Sequence, residues 1–213
     1  QLLIRSSTAL QLGSPSGEIY FAGIENGAVE LYHNNNKSCQ TDSNGLVVYG
    51  PENGDANVYV YADEGDDNAD KWKITSLASS SSFYLQNYSG GSWENSIYAG
   101  GGGAVKLSYD NSWRLETDGN GINVIDDDST VEISLTDSNG AAGHVYGNNS
   151  SGLIALLVGN GETSVAGYQN GATQLFHDNN KKLETSSSGV TVTGTISDSI
   201  GELRQIPQRS VSS

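Results

Sequence analysis

The stretch NGAVELYHNNNKSCQTDSNGLVVYG, residues 26–50, contains two apolar runs around an asparagine-rich middle. The same pattern returns as GGAVKLSYDNSWRLETDGNGINV at residues 102–124 and as NGATQLFHDNNKKLETSSSGVTVTG at residues 170–194. One glycine of each stretch is followed 18 positions later by another, in the pairs Gly27 and Gly45, Gly103 and Gly121, and Gly171 and Gly189. The chain is therefore built from repeats that start 76 and then 68 residues apart, and such periodicity decides the architecture before any single motif does.

Each repeat predicts a strand, a chain reversal, a second strand, a glycine turn and a third strand. In the first repeat Val29 and Leu31 alternate with Glu30 and Tyr32, as the two faces of a strand require. The reversal is expected at pairs of residues that tolerate positive φ. These pairs are Asn34 and Asn35, Asp110 and Asn111, and Asp178 and Asn179.

Two positions of the repeat lead to specific expectations. The second glycine should have a backbone conformation that other residues resist, because its distance from the first glycine is constant while the side chains between them vary. Cys39 occupies the position of Leu115 and Leu183. We therefore predict a small, buried, apolar side chain there, and not a reactive thiol.

The composition indicates an all-β fold with little core of its own. The chain has 27 Gly and only 3 Pro, and many of its strand-forming segments end in Asn or Ser, which favours short strands and tight turns. Its 17 Leu, 12 Ile, 14 Val and 3 Phe among 213 residues lie close to the level of about 20% below which a chain struggles to bury a core. We expect an elongated homotrimeric fibre of short repeated β-strand units, in which three chains share a narrow interior. The side chains predicted to face that interior are Val29, Leu31, Val105, Leu107 and Leu175.

Charge and hydropathy exclude several classes of partner. The net charge is −15 with only 10 Lys and Arg, so neither nucleic acid nor an anionic membrane is expected to bind. No run approaches the roughly 20 apolar residues needed to span a bilayer. One cysteine permits no internal disulfide, and no cofactor motif is present. The lack of methionine and the start at Gln1 predict an internal fragment or a processed chain.

The repeats divide the chain into four segments. Residues 1–50 hold the first repeat with its lead-in, and residues 51–125 hold an acidic-loop insert and the second repeat. Residues 126–196 hold another insert and the third repeat. Residues 197–213 are predicted to be a junction to a further C-terminal region beyond Ser213, because Pro207 would interrupt a strand ladder.

Several of these stretches resemble known sequences. NGAVELYHNNNKS, NGATQLFHDNNKKLETSSSGVTVTG, YADEGDDNADKWKI and SDSIGELRQIP resemble segments that recur in tail-fibre and related virion fibre proteins of tailed bacteriophages, especially marine ones. The resemblance implies a homotrimeric, β-rich fibre without an enzyme in its shaft, located on the extracellular virion. It also implies contacts with other virion tail proteins and with a host-surface glycan or protein.

The function predicted on this basis is structural: a segment of a trimeric tail fibre that links the virion to receptor recognition. One alternative is a host-glycan-binding module, in which Trp72, Tyr88 and Trp93 contact the glycan; the same residues could instead be cross-strand packing. A further alternative is a polysaccharide-degrading tailspike. That activity needs two carboxylates in a groove, and the acidic residues here lie mainly at turns, so no catalytic residue is predicted.

The acidic stretch ADEGDDNAD, residues 62–70, offers oxygen ligands for calcium. The candidates are Asp63, Asp66, Asp67 and Asp70. Their spacing does not match the helix-loop-helix calcium pattern, and the alternative is a solvated hairpin loop.

The three histidines give a second, separate set of candidates. His33 and His177 share a repeat position, which threefold symmetry would gather around an axis, but Tyr109 takes that position in the middle repeat. An axial packing role is therefore expected in preference to a metal site. His144 has no evident partner in the sequence.

Overall fold

The computed structural model describes residues 3–159, 161–198 and 201–202. It confirms the all-β prediction, with 59% strand and 3% helix. Its helical residues form two 3₁₀ turns, Asp63–Gly65 and Asn68–Asp70. Within the described ranges, no helix has the length and apolar character that crossing a membrane requires.

Three large sheets contain nearly all of the strands. The first sheet consists of β1 (Ala9–Gly13), β2 (Ile19–Ile24), β3 (Val29–His33), β4 (Asn36–Asp42) and β5 (Gly45–Val48). The second sheet consists of β6 (Ala56–Tyr61), β7 (Lys71–Leu77), β8 (Ser82–Asn87), β9 (Glu94–Ala99), β10 (Val105–Tyr109), β11 (Ser112–Asp118) and β12 (Gly121–Val124). The third sheet consists of β13 (Thr130–Asp137), β14 (Gly140–Asn148), β15 (Leu153–Val158), β16 (Glu162–Tyr168), β17 (Thr173–His177), β18 (Asn180–Ser186) and β19 (Gly189–Val192).

Each sheet is an antiparallel meander in which every strand pairs with its neighbours in the sequence. A short pair, β20 (Ser197–Asp198) and β21 (Gly201–Glu202), follows the third sheet. The chain divides into two compact units at residues 1–125 and 126–213, and the first unit holds two of the sheets. The proposed junction residues Arg204, Pro207 and Arg209 lie outside the described residues.

The predicted turns are present in all three repeats. The reversal after β3 is a two-residue turn in which Asn34 and Asn35 have φ of 51° and 61°. The corresponding φ values are 51° and 60° at Asp110 and Asn111, and 50° and 56° at Asp178 and Asn179. Two positive φ angles are the mark of the hairpin turn that matches the natural twist of the flanking strands. The glycine prediction is also confirmed, since Gly45, Gly121 and Gly189 have φ of 157°, 145° and 144°.

The repeat is longer than the sequence pattern indicated. The segments interpreted as inserts form the first strands of the same sheets, and their pairing follows the same register. Irregularities fall at equivalent places, between Leu31 and Tyr32, Leu107 and Ser108, and Leu175 and Phe176. The repeating unit is therefore the whole seven-stranded sheet, and the first sheet corresponds to its last five strands.

Side chains bonded to backbone explain why threonine and asparagine recur. The backbone amide of the first residue in β3 donates a hydrogen bond to a threonine hydroxyl on β4, and the same bond joins β10 to β11 and β17 to β18. The bonds run from Val29 to Thr41 at 3.0 Å, from Val105 to Thr117 at 2.9 Å, and from Thr173 to Thr185 at 2.9 Å. The side-chain oxygen of the second residue of each reversal accepts a hydrogen bond from a backbone amide on β2 or the equivalent strand. Asn35 accepts from Ile19 at 2.7 Å, Asn111 from Asn95 at 2.8 Å, and Asn179 from Thr163 at 2.8 Å. Both bonds fix the position of the reversal relative to the rest of the sheet.

One line of cross-strand partners in each sheet is apolar from edge to edge, and we call this line the apolar row. The row of the first sheet is Leu12, Phe21, Leu31, Cys39 and Val48. The row of the second sheet is Val58, Ile74, Leu85, Ile97, Leu107, Leu115 and Val124. The row of the third sheet is Ile133, Val145, Leu156, Val165, Leu175, Leu183 and Val192. The face that carries the row is the apolar face of its sheet, and the other is the polar face.

The apolar rows are only partly covered in the single chain: nine of their nineteen side chains are more than a third exposed, and the other ten are half-buried. Leu31 is 47% exposed, and Leu107 and Leu175 are each 42% exposed. Among the described residues the buried apolar side chains are three alanines, Ala22, Ala155 and Ala166, and they lie on the polar faces, where longer side chains of the neighbouring strands cover them. The prediction that Cys39 replaces a leucine is confirmed in register, but Cys39 is half-buried and not buried.

Candidate functional site

The polar face of each sheet carries a lysine paired with a carboxylate. In the first sheet Glu30, only 8% exposed, accepts from the Nζ of Lys37 at 2.5 Å and from the hydroxyl of Tyr32 at 2.5 Å. The bond from Lys37, and secondarily that from Tyr32, holds the pKa of the Glu30 carboxyl below its usual range. Gln40 accepts a further bond from Lys37 at 2.7 Å.

The second and third sheets also have a lysine–carboxylate pair, but the lysine and the glutamate stand at different positions of the repeat. Lys106 occupies the position of Glu30 and lies 3.2 Å from Glu116. In the third sheet Lys181, at the position of Lys37, lies 2.5 Å from Glu184 and lowers the pKa of that carboxyl. The side chains of these three pairs are partly buried, and we attribute to them the local order of the polar face.

Glu30→Gln should change how stability depends on pH. A carboxyl whose pKa is lowered by folding stabilises the fold above its unfolded pKa of about 4.3, and that contribution is lost as pH falls through the lower folded value. The wild-type chain should therefore melt at a higher temperature than the variant at pH 7, and the difference should close as pH falls below about 4.

The control for this prediction is Glu25→Gln, an exposed carboxyl in the turn between β2 and β3. Thermal melts at intervals between pH 7 and pH 2.5 measure both variants. If the melting temperatures of Glu30→Gln and the wild type differed as much at pH 2.5 as at pH 7, the ionised carboxylate of Glu30 would not be the source of the stability difference.

An aromatic cluster on the polar face of the second sheet brings together two of the predicted glycan-binding residues. The ring centroids of Tyr88 and Trp93 are 5.1 Å apart, and Tyr59 lies 5.9 Å from both Trp93 and Tyr61. We call Tyr59, Tyr61, Tyr88 and Trp93 the aromatic cluster. Trp72 is not part of it, because Trp72 pairs with Val60 and so points to the apolar face.

Two lysines accompany the aromatic cluster. The Nζ of Lys73 lies 4.6 Å from the centroid of the Trp93 ring, and that of Lys71 lies 5.9 Å from Tyr88. Burial lowers the pKa of Lys73, and the charge of Asp55 opposes this in part. Tyr59, Tyr61 and Lys73 were not predicted as site residues. The alternating VYVY of residues 58–61 opposite KWK of residues 71–73 is the signal that could have found them.

The acidic loop places three of its four calcium candidates together. Carboxylate oxygens of Asp66, Asp67 and Asp70 lie within 4.8 Å of one another, and Asp63 is outside this group. Hydrogen bonds inside the loop account for the closeness, since the Asp67 amide donates to Asp66 at 3.0 Å and to Asp70 at 3.2 Å. The calcium site stays a prediction.

The structure corrects the expectation that His144 has no partner. Its Nδ1 lies 2.7 Å from Glu132 Oε1 and 2.9 Å from Ser134 Oγ, and Ser134 Oγ donates to Glu132 at 2.8 Å. A catalytic triad uses one ring nitrogen for the hydroxyl and the other for the carboxylate. Here both groups meet the same nitrogen, which cannot donate to the carboxylate and accept the serine proton together. The arrangement therefore lacks the geometry of a nucleophilic triad.

The other two histidines lie at exposed strand ends. The His177 ring is 3.5 Å from Asp178, and Tyr109, at the same repeat position, is 74% exposed. In the part of the chain that the structure describes, neither His33 nor His177 joins a group of metal-ligating side chains. Their axial packing role stays a prediction.

Two clefts recur at the same place in the second and third sheets. One, of about 420 Å³, is lined by Asn87, Ser89, Glu94, Asn95, Ser96, Ser108, Tyr109 and Asp110. The other, of about 510 Å³, is lined by Val158, Gly159, Gly161, Glu162 and Asn179. Both lie between a strand end and the neighbouring reversal, so they are products of the repeat and not individual ligand sites.

No protein-family model matches the chain, and none of the curated proteins matches it. The function must therefore be inferred from the residues and the geometry described above. The two features that stand out are the partly covered apolar rows and the aromatic cluster on the opposite face of the second sheet.

Proposed function

We propose that this chain is a structural segment of a homotrimeric tail fibre of a bacteriophage, which links the virion to a receptor-binding end. The observation that carries the proposal is the apolar row of each sheet, which is continuous across every strand and only partly covered in the single chain. Exposed apolar surface of this extent is typical of an interface, and a sheet with one apolar face needs another layer to cover it.

A copy of the same chain is the best fit for the covering layer. The three rows are almost purely aliphatic, so any partner must offer an equally apolar surface of matching length. The chain itself offers such a row in each sheet, and parallel copies in register would place identical rows against one another. The resemblance of the sequence to phage tail fibres supports three copies around an axis.

A structural role also fits the chemistry of the polar faces. They carry hydrogen-bonded amides, hydroxyls and surface ion pairs, and the His144 group lacks the geometry of a triad. An acidic surface with net charge −15 keeps an assembly soluble. We therefore propose no enzymatic activity, and a location on the extracellular virion beside other tail proteins.

Light scattering of the purified chain tests the assembly. The expected mass is that of three chains of 22.4 kDa, and it should not change on dilution through the micromolar range. A mass of one chain would contradict the proposal. Antibodies against the chain should then label the tails of the phage that encodes it, and labelling of another part of the particle would contradict the tail-fibre role.

A further inference from the structure

We propose that the aromatic cluster of Tyr59, Tyr61, Tyr88 and Trp93, with Lys73, binds an uncharged polysaccharide through its pyranose rings. The proposal builds on the proposed assembly in one respect: if copies cover the apolar face of the second sheet, the face with the cluster is the one that stays open.

The fold does not require these aromatic residues. The third sheet has the same strand order as the second, and its first two strands keep the same register up to Leu135, where β13 and β14 shift and β6 and β7 do not. At the positions of Tyr59 and Lys73 it carries Ser134 and His144. At the positions of Tyr88 and Trp93, which connect the equivalent strands, it has Gly159 and Gly161. A sheet of the same strand order therefore forms without the cluster, so the strand pairing does not depend on these aromatic side chains.

The cluster is open on the side that a ligand would approach. Tyr59 is 52% exposed and Tyr61 is 49% exposed, although both rings are held by aromatic neighbours 5.9 Å away. Aromatic rings that are fixed and accessible offer flat faces with negative potential, which attract the weakly positive C–H groups of a sugar ring. Because the neighbouring rings already restrict these side chains, binding costs little conformational entropy.

Polar groups beside the rings suit sugar hydroxyls. Gln86 and Asn95 share the row of Tyr59 and Lys73 and are joined by a hydrogen bond of 3.0 Å. Among the described residues, the ammonium groups of Lys71 and Lys73 have no carboxylate within 4.0 Å, so they can donate to a hydroxyl.

Charge selects an uncharged ligand. Aromatic rings with lysines also bind single-stranded nucleic acid, but a polyanion would be repelled by the net charge of −15. The acidic loop that joins β6 to β7 adds repulsion at one end of the cluster.

Affinity electrophoresis of the full chain, in gels that contain dextran, mannan or laminarin, tests the site. At least one of these neutral polysaccharides should retard the protein, and Tyr59→Ala should weaken that retardation at least tenfold. The matched control is Tyr20→Ala, a tyrosine of β2 in the first sheet that is 48% exposed and outside the cluster. Its retardation should equal that of the wild type, and thermal melts show whether each variant folds.

Three results would overturn the proposal: no retardation by any of the three neutral polymers, retardation by the anionic polymer alginate alone, or full retardation of Tyr59→Ala. Failure of this site is distinguishable from failure of the assembly, because light scattering reports the assembly independently. A trimer that is not retarded would refute the site alone, and a retarded monomer would refute the assembly alone.

Discussion

Leu107→Asp is expected to dissociate the proposed assembly and lower its melting temperature strongly. Leu107 lies in the apolar row of the second sheet between Ile97 and Leu115. If copies of the chain cover this row, the substitution places one unpaired carboxylate per chain in an apolar interface. An uncompensated buried charge costs about 3 to 5 kcal/mol, and at about 2 to 4 °C per kcal/mol the melting temperature should fall by roughly 10 °C. Light scattering and thermal melts measure the two effects.

The discriminating power of this variant comes from the exposure of Leu107 in the single chain. In a monomer the new carboxylate would still reach water at this 42% exposed position, so we expect a smaller loss of stability than in an assembly and no change in mass. Gln11→Asp, an exposed change on the polar face of the first sheet, is the control and should leave mass and melting unchanged. A Leu107→Asp variant that melts with the wild type would show that the apolar row is not an interface.

Gly121→Ala should destabilise the second sheet through backbone strain alone. Gly121 has φ of 145°, and a Cβ built at this position has no atom within 4 Å, so steric overlap with neighbours does not contribute. A residue with a side chain held in this conformation costs about 1 to 3 kcal/mol. We expect a fall in melting temperature of roughly 3 to 10 °C at the size of this chain.

Gly119→Ala provides a matched control in the same turn. A Cβ at Gly119 also has open space, but its φ lies outside the positive region. Alanine at a compatible position restricts the unfolded chain and is neutral or stabilising by up to about 1 kcal/mol. Equal melting temperatures of the two variants would contradict the assigned role of Gly121.

The fold could be predicted from the sequence where the residue type itself specifies the local backbone conformation. The Asn-Asn and Asp-Asn reversals were predictable because few other residues accept two positive φ angles in succession, and the second glycine because its position is constant. The alternation of Val29, Glu30 and Leu31 likewise predicted two faces of different polarity. These signals are local, so they do not depend on which segments pair.

The first strands of each sheet were not predicted as part of the repeat, for a physical reason. Pairing in a sheet depends on backbone bonds and on the polarity of each face, so the identity of individual residues can vary widely. Val58 and Ile133 occupy one position, as do Tyr59 and Ser134. Polar and apolar residues alternate in the same way in β6 and β13, but the residue types at equivalent positions differ.

The candidate site was predicted only in part. Tyr88 and Trp93 were proposed together because they stand close in the sequence, whereas Tyr59 contacts Trp93 from a strand more than thirty residues away. Trp72 was included among the candidates because it is close to the acidic loop in the sequence, but the alternation of side chains along β7 places it on the apolar face. The contact of His144 with Glu132 and Ser134 depends on the register of β13 and β14, which no local motif specifies.

The strictly sequential order of the strands has a consequence for synthesis. Since every strand pairs only with the one before and the one after it, each hairpin can close as soon as its second strand leaves the ribosome, without waiting for distant residues. Folds of such local connectivity form quickly. The slow step of the proposed assembly would then be the encounter between nascent or newly released chains. The rate of assembly should therefore rise with the number of ribosomes that translate one messenger RNA at the same time.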